Sequence, residues 1–240
     1  MQNILNQCGK WLQEKLSNAR ASGIVLGLSG GIDSAVLSAL GVKFLGRENV
    51  MNLIMPCHSN SDDEADAMLL IKKFDLKYKR IDLTLSFDNI LKEFAAQNEN
   101  ISRESQSNLK ARLRMSTLYA YAQNNNYLVC GTSNKSEFLT GYFTKFGDSG
   151  VDLMPLANFL KRDIRKLAKI LEIPEKIITK APSAGLYQGQ TDENDMGFTY
   201  EILDNYLETG NITSEAVKQK IDAMRLRSEH KRQPIPIFKY

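Results

Sequence analysis

A glycine-rich turn between an apolar strand and an apolar helix is the segment of this sequence best suited to chemistry. The apolar run 24–28 leads directly into Ser29-Gly30-Gly31-Ile32-Asp33-Ser34, and the apolar run 35–40 follows. Backbone N–H groups are free at the start of a helix, where the helix dipole is positive, so this arrangement binds phosphate. The two glycines allow the backbone to approach an anion closely, and the two serines add hydroxyl donors.

Asp33, within this turn, indicates a metal ion. A carboxylate beside phosphates is repelled unless a cation lies between them, so Asp33 predicts Mg²⁺ between the protein and the anion. The alternative is that Asp33 only caps the helix, as Asp often does near a first turn. The better-known phosphate loops do not fit, because GxxxxGK[ST] needs a lysine that this turn lacks and GxGxxG does not match its glycines.

Short apolar runs alternate with helical patterns in the first half of the chain. A capping pattern at 61–64 opens one amphipathic helix with Ala65, Met68, Leu69 and Phe74 as its apolar residues. Apolar residues at helical spacing in 87–95 mark another. Nearly continuous apolar runs are typical of strands buried on both faces, and the alternation predicts an α/β doubly wound parallel sheet with flanking helices. The predicted strands are 24–28, 50–55, 78–82 and 127–131.

The second half of the chain is less regular. Residues 144–155 have loop character, and apolar residues in 163–171 mark a helix that Pro174 ends. The segment 181–197 is rich in glycine, a composition that fits a mobile lid or a plain surface loop. A last helix is predicted at 217–226.

The composition narrows the class of protein. With 240 residues, 42% apolar and 25% charged, the sequence is typical of a soluble globular protein, and we expect one domain over residues 1–240. A net charge of +3 is too small for binding nucleic acid through bulk charge. The scattered Cys8, Cys57 and Cys130 indicate reduced thiols, and no apolar run approaches the roughly 20 residues of a membrane helix. We therefore expect a cytoplasmic protein with neither a nucleic-acid nor a membrane partner.

Residues 29–34 resemble the loop of the ATP pyrophosphatase (PP-loop) superfamily, whose members split ATP between its α and β phosphates and adenylylate an oxygen. Further strings occur in the same order as in the ammonia-dependent NAD synthetase family, from about residue 27 to residue 232. The resemblance implies a Rossmann-like fold of the adenine nucleotide alpha hydrolase type. The strings are 131–137, 141–148 followed by Asp152 and Pro155, 182–186, 189–193 and 230–232.

The resemblance implies ATP as a co-substrate and Mg²⁺ as a cofactor. Asp33 and Glu137 match the Mg²⁺ positions, and Lys161 would neutralise charge as pyrophosphate leaves. In the alternative reading, Glu137 only complements a helix dipole and Lys161 is a solvated lysine. The positions that match ATP contacts are Gly27, Leu28, Ser29, Gly30, Gly31, Ile32, Asp33, Ser34, Thr132, Lys161 and Ser183.

The other substrate implied by the resemblance is deamido-NAD, nicotinic acid adenine dinucleotide. Its pyrophosphate and carboxylate groups call for basic side chains from several segments. In the alternative reading, Arg112 lies on a solvated helix face and the cluster at 230–232 is a solvated chain end. The matching positions are Arg112, Lys145, Asp152, His230 and Lys231, with Asn108, Tyr119 and Tyr142 as weaker candidates.

The implied reaction has two steps and is the last step of NAD biosynthesis. ATP adenylylates the nicotinate carboxylate with release of pyrophosphate, and ammonia then displaces AMP to form the amide. We expect Asp33, Lys161 and Asp152 to be catalytic, with Asp152 holding ammonia or taking its proton, so that Asp152→Asn harms amidation more than adenylylation. We expect no glutaminase or amidase domain in 240 residues and hence ammonia as the donor, and the resemblance implies a homodimer.

Two alternatives remain open. The chain could be another PP-loop adenylylating enzyme, such as a tRNA-modifying or GMP synthetase-like enzyme, although the low net charge and scattered cysteines disfavour tRNA modification. It could also be a non-catalytic ATP-binding module, although retention of both carboxylates and the lysines argues against that. The sequence also departs from the family, since Asn134 stands where many members carry histidine and Ser183 where threonine is frequent.

Overall fold

Four parallel strands form a sheet in the order β3-β2-β1-β4. The structure is a computed structural model that describes residues 1–183, 185 and 189–239. Ile24 of the central strand pairs in register with Val50 on one side and Leu128 on the other. The strands are β1 (Gly23–Gly27), β2 (Val50–Ile54), β3 (Tyr78–Arg80) and β4 (Tyr127–Val129), which confirms the four predicted strands and the parallel sheet.

Two apolar layers cover the sheet, one on each face. Successive strand residues point to opposite faces, so Ile24 and Leu26 pack into the larger cluster and Val25 into the smaller one. Beyond residue 180, Met196, Phe198, Tyr200, Leu203 and Ile221 form a separate small cluster.

Eleven helices are seen in the described part of the chain. Within that part, no helix is long and apolar enough to cross a membrane. The helices are α1 (Gln2–Ala19), α2 (Ile32–Leu45), α3 (Ser61–Phe74), α4 (Thr84–Ala96), α5 (Arg103–Asn125), α6 (Lys135–Thr140), α7 (Lys161–Ile170), α8 (Glu175–Thr179), α9 (Asp192–Met196), α10 (Tyr200–Thr209) and α11 (Glu215–Arg227).

The start and the buried face of α3 differ from the prediction. Asn60, and not Ser61, is the N-cap, and its side chain accepts a hydrogen bond from the Asp62 N–H. Met68 is exposed, whereas Leu70 is buried together with the charged Asp66. The helix therefore packs on a face that includes a carboxylate, which an apolar pattern cannot indicate. The predicted loop or lid at 181–197 contains α9, while residues 184 and 186–188 lie outside the described residues.

The order in which the chain adds strands to the sheet reverses at β1. β2 and β3 extend the sheet on one side, and the long connection through α4 and α5 then places β4 on the other side. Open α/β sheets bind ligands at such a switch point, outside the carboxyl ends of the strands. The turn 28–31 follows β1 and the segment 130–134 follows β4, so both meet at this point.

Candidate active site

A cavity of about 1250 Å³ lies at the carboxyl ends of the strands. All of the predicted ATP positions except Gly30 line it, and so do four of the predicted dinucleotide positions, two of them weaker candidates. Arg112, Lys145 and Asp152 lie outside the lining. The predicted residues that line the cavity are 27–29, 31–34, Asn108, Thr132, Glu137, Tyr142, Lys161, Ser183, His230 and Lys231.

Internal hydrogen bonds hold the turn between β1 and α2 in shape. The Ser29 N–H donates to Ser34 Oγ at 3.2 Å, and Ser34 Oγ donates to the Gly31 carbonyl at 3.0 Å. Gly30 has φ +79, and a Cβ atom there would collide with the Asp63 carbonyl oxygen, so only glycine fits. Gly31 is the N-cap of α2, and no described side chain caps this helix start, which leaves its first N–H groups available to an anion.

Lys161 joins the two carboxylates that the sequence assigns to the metal. Its Nζ atom lies 2.6 Å from Asp33 Oδ2 and 2.9 Å from Glu137 Oε1. The Asn134 side-chain amide donates to the same two residues, at 2.9 Å to Asp33 and 2.7 Å to Glu137. Asp33 therefore does more than cap α2, and Lys161, with only 2% of its side chain exposed, is not a solvated lysine.

Burial and charge set the protonation of this cluster. Burial disfavours the charge of Lys161, but Asp33 and Glu137 together outweigh that effect and raise the pKa of the lysine, which stays protonated. Burial also raises the pKa of Glu137, and the carboxylate of Asp33 adds to the rise while Lys161 opposes it. One extra positive charge near Glu137 therefore favours its ionised form.

The same cluster fits a hard divalent cation. Mg²⁺ in nucleotide sites is held by one or two carboxylates, and substrate phosphates and water complete its coordination. Asp33 and Glu137 supply such a pair of carboxylates, and the Lys161 ammonium group already lies between them. Within the described residues, no three acidic, histidine or cysteine side chains come together as a metal cage, so an ion here would need further ligands from ATP and water.

Tyr200 and Asp192 extend the cluster, and neither was assigned a role from the sequence. The Tyr200 hydroxyl donates to Asp192 Oδ2 at 2.9 Å and lies 3.4 Å from Glu137 Oε1. Asp192 is buried and lines the cavity, and its Oδ1 atom has no hydrogen-bond partner among the described residues. The string 189–193 was the available signal for Asp192, whereas Tyr200 resembled an ordinary helix residue.

Two of the basic residues assigned to deamido-NAD, His230 and Lys231, line a second part of the cavity, which we call the dinucleotide end. Lys231 donates to the carbonyls of Gly141 at 2.8 Å and Phe143 at 2.6 Å. Lys145 donates to the His230 carbonyl at 2.7 Å, and Arg112 donates to the Lys145 carbonyl at 3.2 Å. One chain of contacts thus joins α5, the loop after α6 and the turn at 229–231. Of this group, His230 and Lys231 reach the cavity.

Asp152 is held beside β4. Its Oδ2 atom accepts a hydrogen bond from the Val129 N–H at 2.8 Å, and its Oδ1 atom accepts one from the Tyr119 hydroxyl at 3.1 Å. Burial, together with the Asp152 carboxylate, raises the pKa of Tyr119 to about 12, so the phenol stays a donor. A role for Asp152 in binding ammonia stays a prediction.

The three cysteines are unpaired and unactivated. Cys57 and Cys130 are buried, and Cys8 is half-buried. Burial raises the pKa of all three thiols, that of Cys8 to about 11. None of them therefore forms the thiolate that a cysteine nucleophile needs.

Comparison with known proteins identifies the family. The chain is 50% identical over 231 residues to an NH(3)-dependent NAD(+) synthetase of Finegoldia magna, covering 96% of this chain and 93% of that protein. A solved structure titled as the NMN synthetase from Francisella tularensis matches with a TM-score of 0.93 and 38% identity over 100% of this chain and 98% of that one. The NH3-dependent NAD synthetase from Campylobacter jejuni, in complex with nitrate, matches with a TM-score of 0.81 and 34% identity over 99% and 98%. The model of the NAD synthase family covers residues 4–235, and the chain belongs to this family.

Proposed function

We propose that this protein catalyses the ATP-dependent amidation of deamido-NAD with ammonia, forming NAD, AMP and pyrophosphate. The observation that carries the proposal is one cavity with two chemically different ends. A phosphate loop and the cluster of Asp33, Glu137 and Lys161 lie at one end, and His230 and Lys231 lie at the other. ATP and an anionic nucleotide can therefore meet in it.

In the first step, a nicotinate carboxylate oxygen attacks the α-phosphorus of ATP. A new P–O bond forms as the bond to the bridging oxygen breaks, and pyrophosphate leaves with the electron pair. The N–H groups at the start of α2 and the ammonium of Lys161 stabilise the charge that develops on the phosphates. Mg²⁺, held by Asp33 and Glu137, would supply further electrostatic stabilisation of the phosphates.

In the second step, ammonia attacks the carbonyl carbon of the mixed anhydride. The bond to the AMP oxygen breaks, AMP leaves, and the nitrogen loses a proton as the amide forms. Asp152 is proposed as the group that holds ammonia or accepts this proton, because it matches the family position and carries a carboxylate. In this proposal residues 1–240 act as one synthetase domain, and free ammonia is the nitrogen donor, as in the names of the relatives.

The mononucleotide is a second candidate substrate. The Francisella tularensis structure, with a TM-score of 0.93, carries the name NMN synthetase. The same two steps applied to nicotinic acid mononucleotide would give NMN. The 50% identity with a named NAD(+) synthetase favours the dinucleotide.

We also propose that the chain acts as a homodimer in which a second copy completes the dinucleotide end. Arg112 and Asp152 are exposed and lie outside the cavity, although both match substrate positions of the family. Sedimentation equilibrium is expected to give twice the chain mass. A monomer with full activity would contradict this part of the proposal.

The purified chain, incubated with ATP, Mg²⁺ and ammonium, tests the activity directly. With deamido-NAD as substrate we expect NAD, AMP and pyrophosphate in equal amounts, and kcat/KM is compared with that for nicotinic acid mononucleotide. Glutamine replaces ammonium in the control and is expected to support no amidation. Absence of NAD would refute the main proposal, and a preference for the mononucleotide would establish the second candidate.

A further inference from the structure

A second pair of carboxylates lies beside the phosphate loop and binds a different lysine. Lys180 Nζ is 2.8 Å from Asp63 Oδ1 and 2.6 Å from Asp66 Oδ2. Lys176 Nζ is 2.6 Å from Asp66 Oδ1, the other oxygen of the same carboxylate. Asp63 and Asp66 are three residues apart on α3 and share one face of the helix. The reaction proposed above uses none of these four residues.

This cluster reaches the place where the loop would hold phosphate. The backbone of Asp63 packs so closely on Gly30 that an added Cβ atom would collide with it. Asp63 and Lys180 line the same cavity as Ser29, Ser34 and Lys161. Lys180 is thus a second lysine at the phosphate end, and it pairs with carboxylates other than those of Asp33 and Glu137.

Asp66 has two lysine partners, so it stays paired if one of them moves to another anion. Asp66, with 2% of its side chain exposed, would be strongly destabilising if it were buried without a partner. If Lys180 turned into the cavity, Lys176 would still pair with Asp66. Lys176 itself is 64% exposed and lies outside the cavity lining, whereas Lys180 is 27% exposed and lines it. Lys180 can therefore change partners without leaving the buried Asp66 unpaired, and the carboxylate that it releases, Asp63, is 26% exposed.

We propose that Lys180 binds the pyrophosphate moiety of ATP, and the pyrophosphate that leaves, by exchanging its contacts with Asp63 and Asp66 for phosphoryl oxygens. The identity of the anion rests on the function proposed above. Phosphoryl oxygens form strong charge-assisted hydrogen bonds with ammonium groups, so they can replace carboxylate partners. Burial opposes the charge of Lys180, but its contacts with Asp63 and Asp66 outweigh burial and raise its pKa, so the group is cationic when the anion arrives.

Binding of inorganic pyrophosphate, measured by isothermal titration calorimetry with Mg²⁺, tests the proposal. Lys180→Met is expected to raise the Kd for pyrophosphate about 10-fold to 100-fold, the size expected for losing a hydrogen bond to a charged group. Lys176→Met is the matched control, because it removes an ion pair to the same Asp66 but no cavity-lining charge. We expect its Kd to stay within about twofold of the wild-type value.

A second variant gives an effect of the opposite sign. Asp63→Asn removes a carboxylate that competes for Lys180, so it is expected to tighten pyrophosphate binding several-fold, and Lys180→Met in the same chain should abolish most of that gain. Glu64→Gln is the control for a general charge effect, since Glu64 lines the same cavity but pairs with Arg80 at 2.7 Å. Asp63→Asn also keeps the proposal testable if Lys180→Met fails to fold.

The outcomes separate this proposal from the proposed function. Equal Kd changes in Lys180→Met and Lys176→Met, no tightening in Asp63→Asn, or no measurable pyrophosphate binding by the wild type would each overturn the role of Lys180. Failure of the proposed function would instead show as a wild-type protein that binds pyrophosphate and forms no NAD. In that case the calorimetric comparison of the two lysine variants still decides the role of Lys180.

Discussion

The two ends of the cavity hold their basic side chains in different ways. At the phosphate end, Lys161 is enclosed and paired with the carboxylates of Asp33 and Glu137. At the dinucleotide end, Lys231 donates to backbone carbonyls, as Lys145 does outside the cavity lining, and within the part of the chain that the structure describes neither forms an ion pair with a carboxylate. At the phosphate end two carboxylates thus offset the charge of Lys161, whereas no described carboxylate pairs with Lys231, whose pKa burial lowers.

This difference indicates how each end meets its ligand. A neutral carbonyl orients an ammonium group without cancelling its charge, so Lys145 and Lys231 can attract an anion as they stand. Lys161 forms ion pairs with two carboxylates, so an incoming Mg²⁺ would compete with its ammonium group for Asp33 and Glu137. We therefore expect substitutions at the phosphate end to affect the chemistry and substitutions at the dinucleotide end to affect substrate binding.

The largest expected effect is that of Asp33→Asn. The change removes one of the two carboxylates of the phosphate end, and we expect kcat/KM to fall about 10²-fold to 10³-fold, as when a transition-state contact is lost. Rates of NAD formation, measured at saturating deamido-NAD with the ATP concentration varied, give the loss in kcat/KM for ATP. Asp163→Asn is the control, because Asp163 accepts a hydrogen bond from the Leu160 N–H at 3.3 Å outside the cavity. Similar losses in both variants would show that Asp33 has no special role.

A smaller and more selective effect is expected for Lys231→Met. Loss of this charge at the dinucleotide end should raise KM for deamido-NAD about 10-fold to 100-fold and leave KM for ATP nearly unchanged. Steady-state kinetics with each substrate varied in turn measure both constants. Lys218→Met is the control, since Lys218 pairs with Asp222 at 2.8 Å away from the cavity. An equal rise in both KM values would contradict the division of the cavity into two ends.

The sheet was predictable from the sequence because its signal is local. Four short apolar runs, separated by helical patterns, are sufficient to indicate buried parallel strands, and all four are confirmed. The buried face of α3 was not predictable in the same way. Asp66 lies on that face only because Lys176 and Lys180, more than a hundred residues later in the chain, supply its partners. A pattern within fourteen residues carries no information about them.

The sequence predicted which residues belong to the site but not the contacts among them. Family strings identified Asp33, Glu137 and Lys161 as positions of interest, although 128 residues separate Asp33 from Lys161. The strings could not indicate that Lys161 bridges the two carboxylates, or that the amide of Asn134 contacts both of them. Those contacts depend on how the ends of β1 and β4 meet, which is a property of the folded chain.

Gly30 offers the sharpest test of how rigid the phosphate end is, because Gly46 provides a control that also has a positive φ angle. The φ angles are +79 at Gly30 and +84 at Gly46, so an alanine is strained at both positions. An added Cβ atom at Gly46 meets no described atom within 4 Å, whereas at Gly30 it collides with the Asp63 carbonyl. The two substitutions thus differ by the contact between the loop and α3.

We expect Gly46→Ala, at φ 84 and ψ 150, to lower the free energy of unfolding by about 1–3 kcal/mol, the cost of a side chain in a conformation that essentially only glycine adopts, and to leave KM for ATP unchanged. Gly30→Ala should cost about 1–3 kcal/mol more, as overpacking does, and should raise KM for ATP about tenfold because the loop must shift. Urea unfolding and ATP kinetics measure the two quantities. If Gly30→Ala kept the wild-type KM for ATP, the loop would tolerate movement away from α3, and the phosphate end would be less rigid than its contacts indicate.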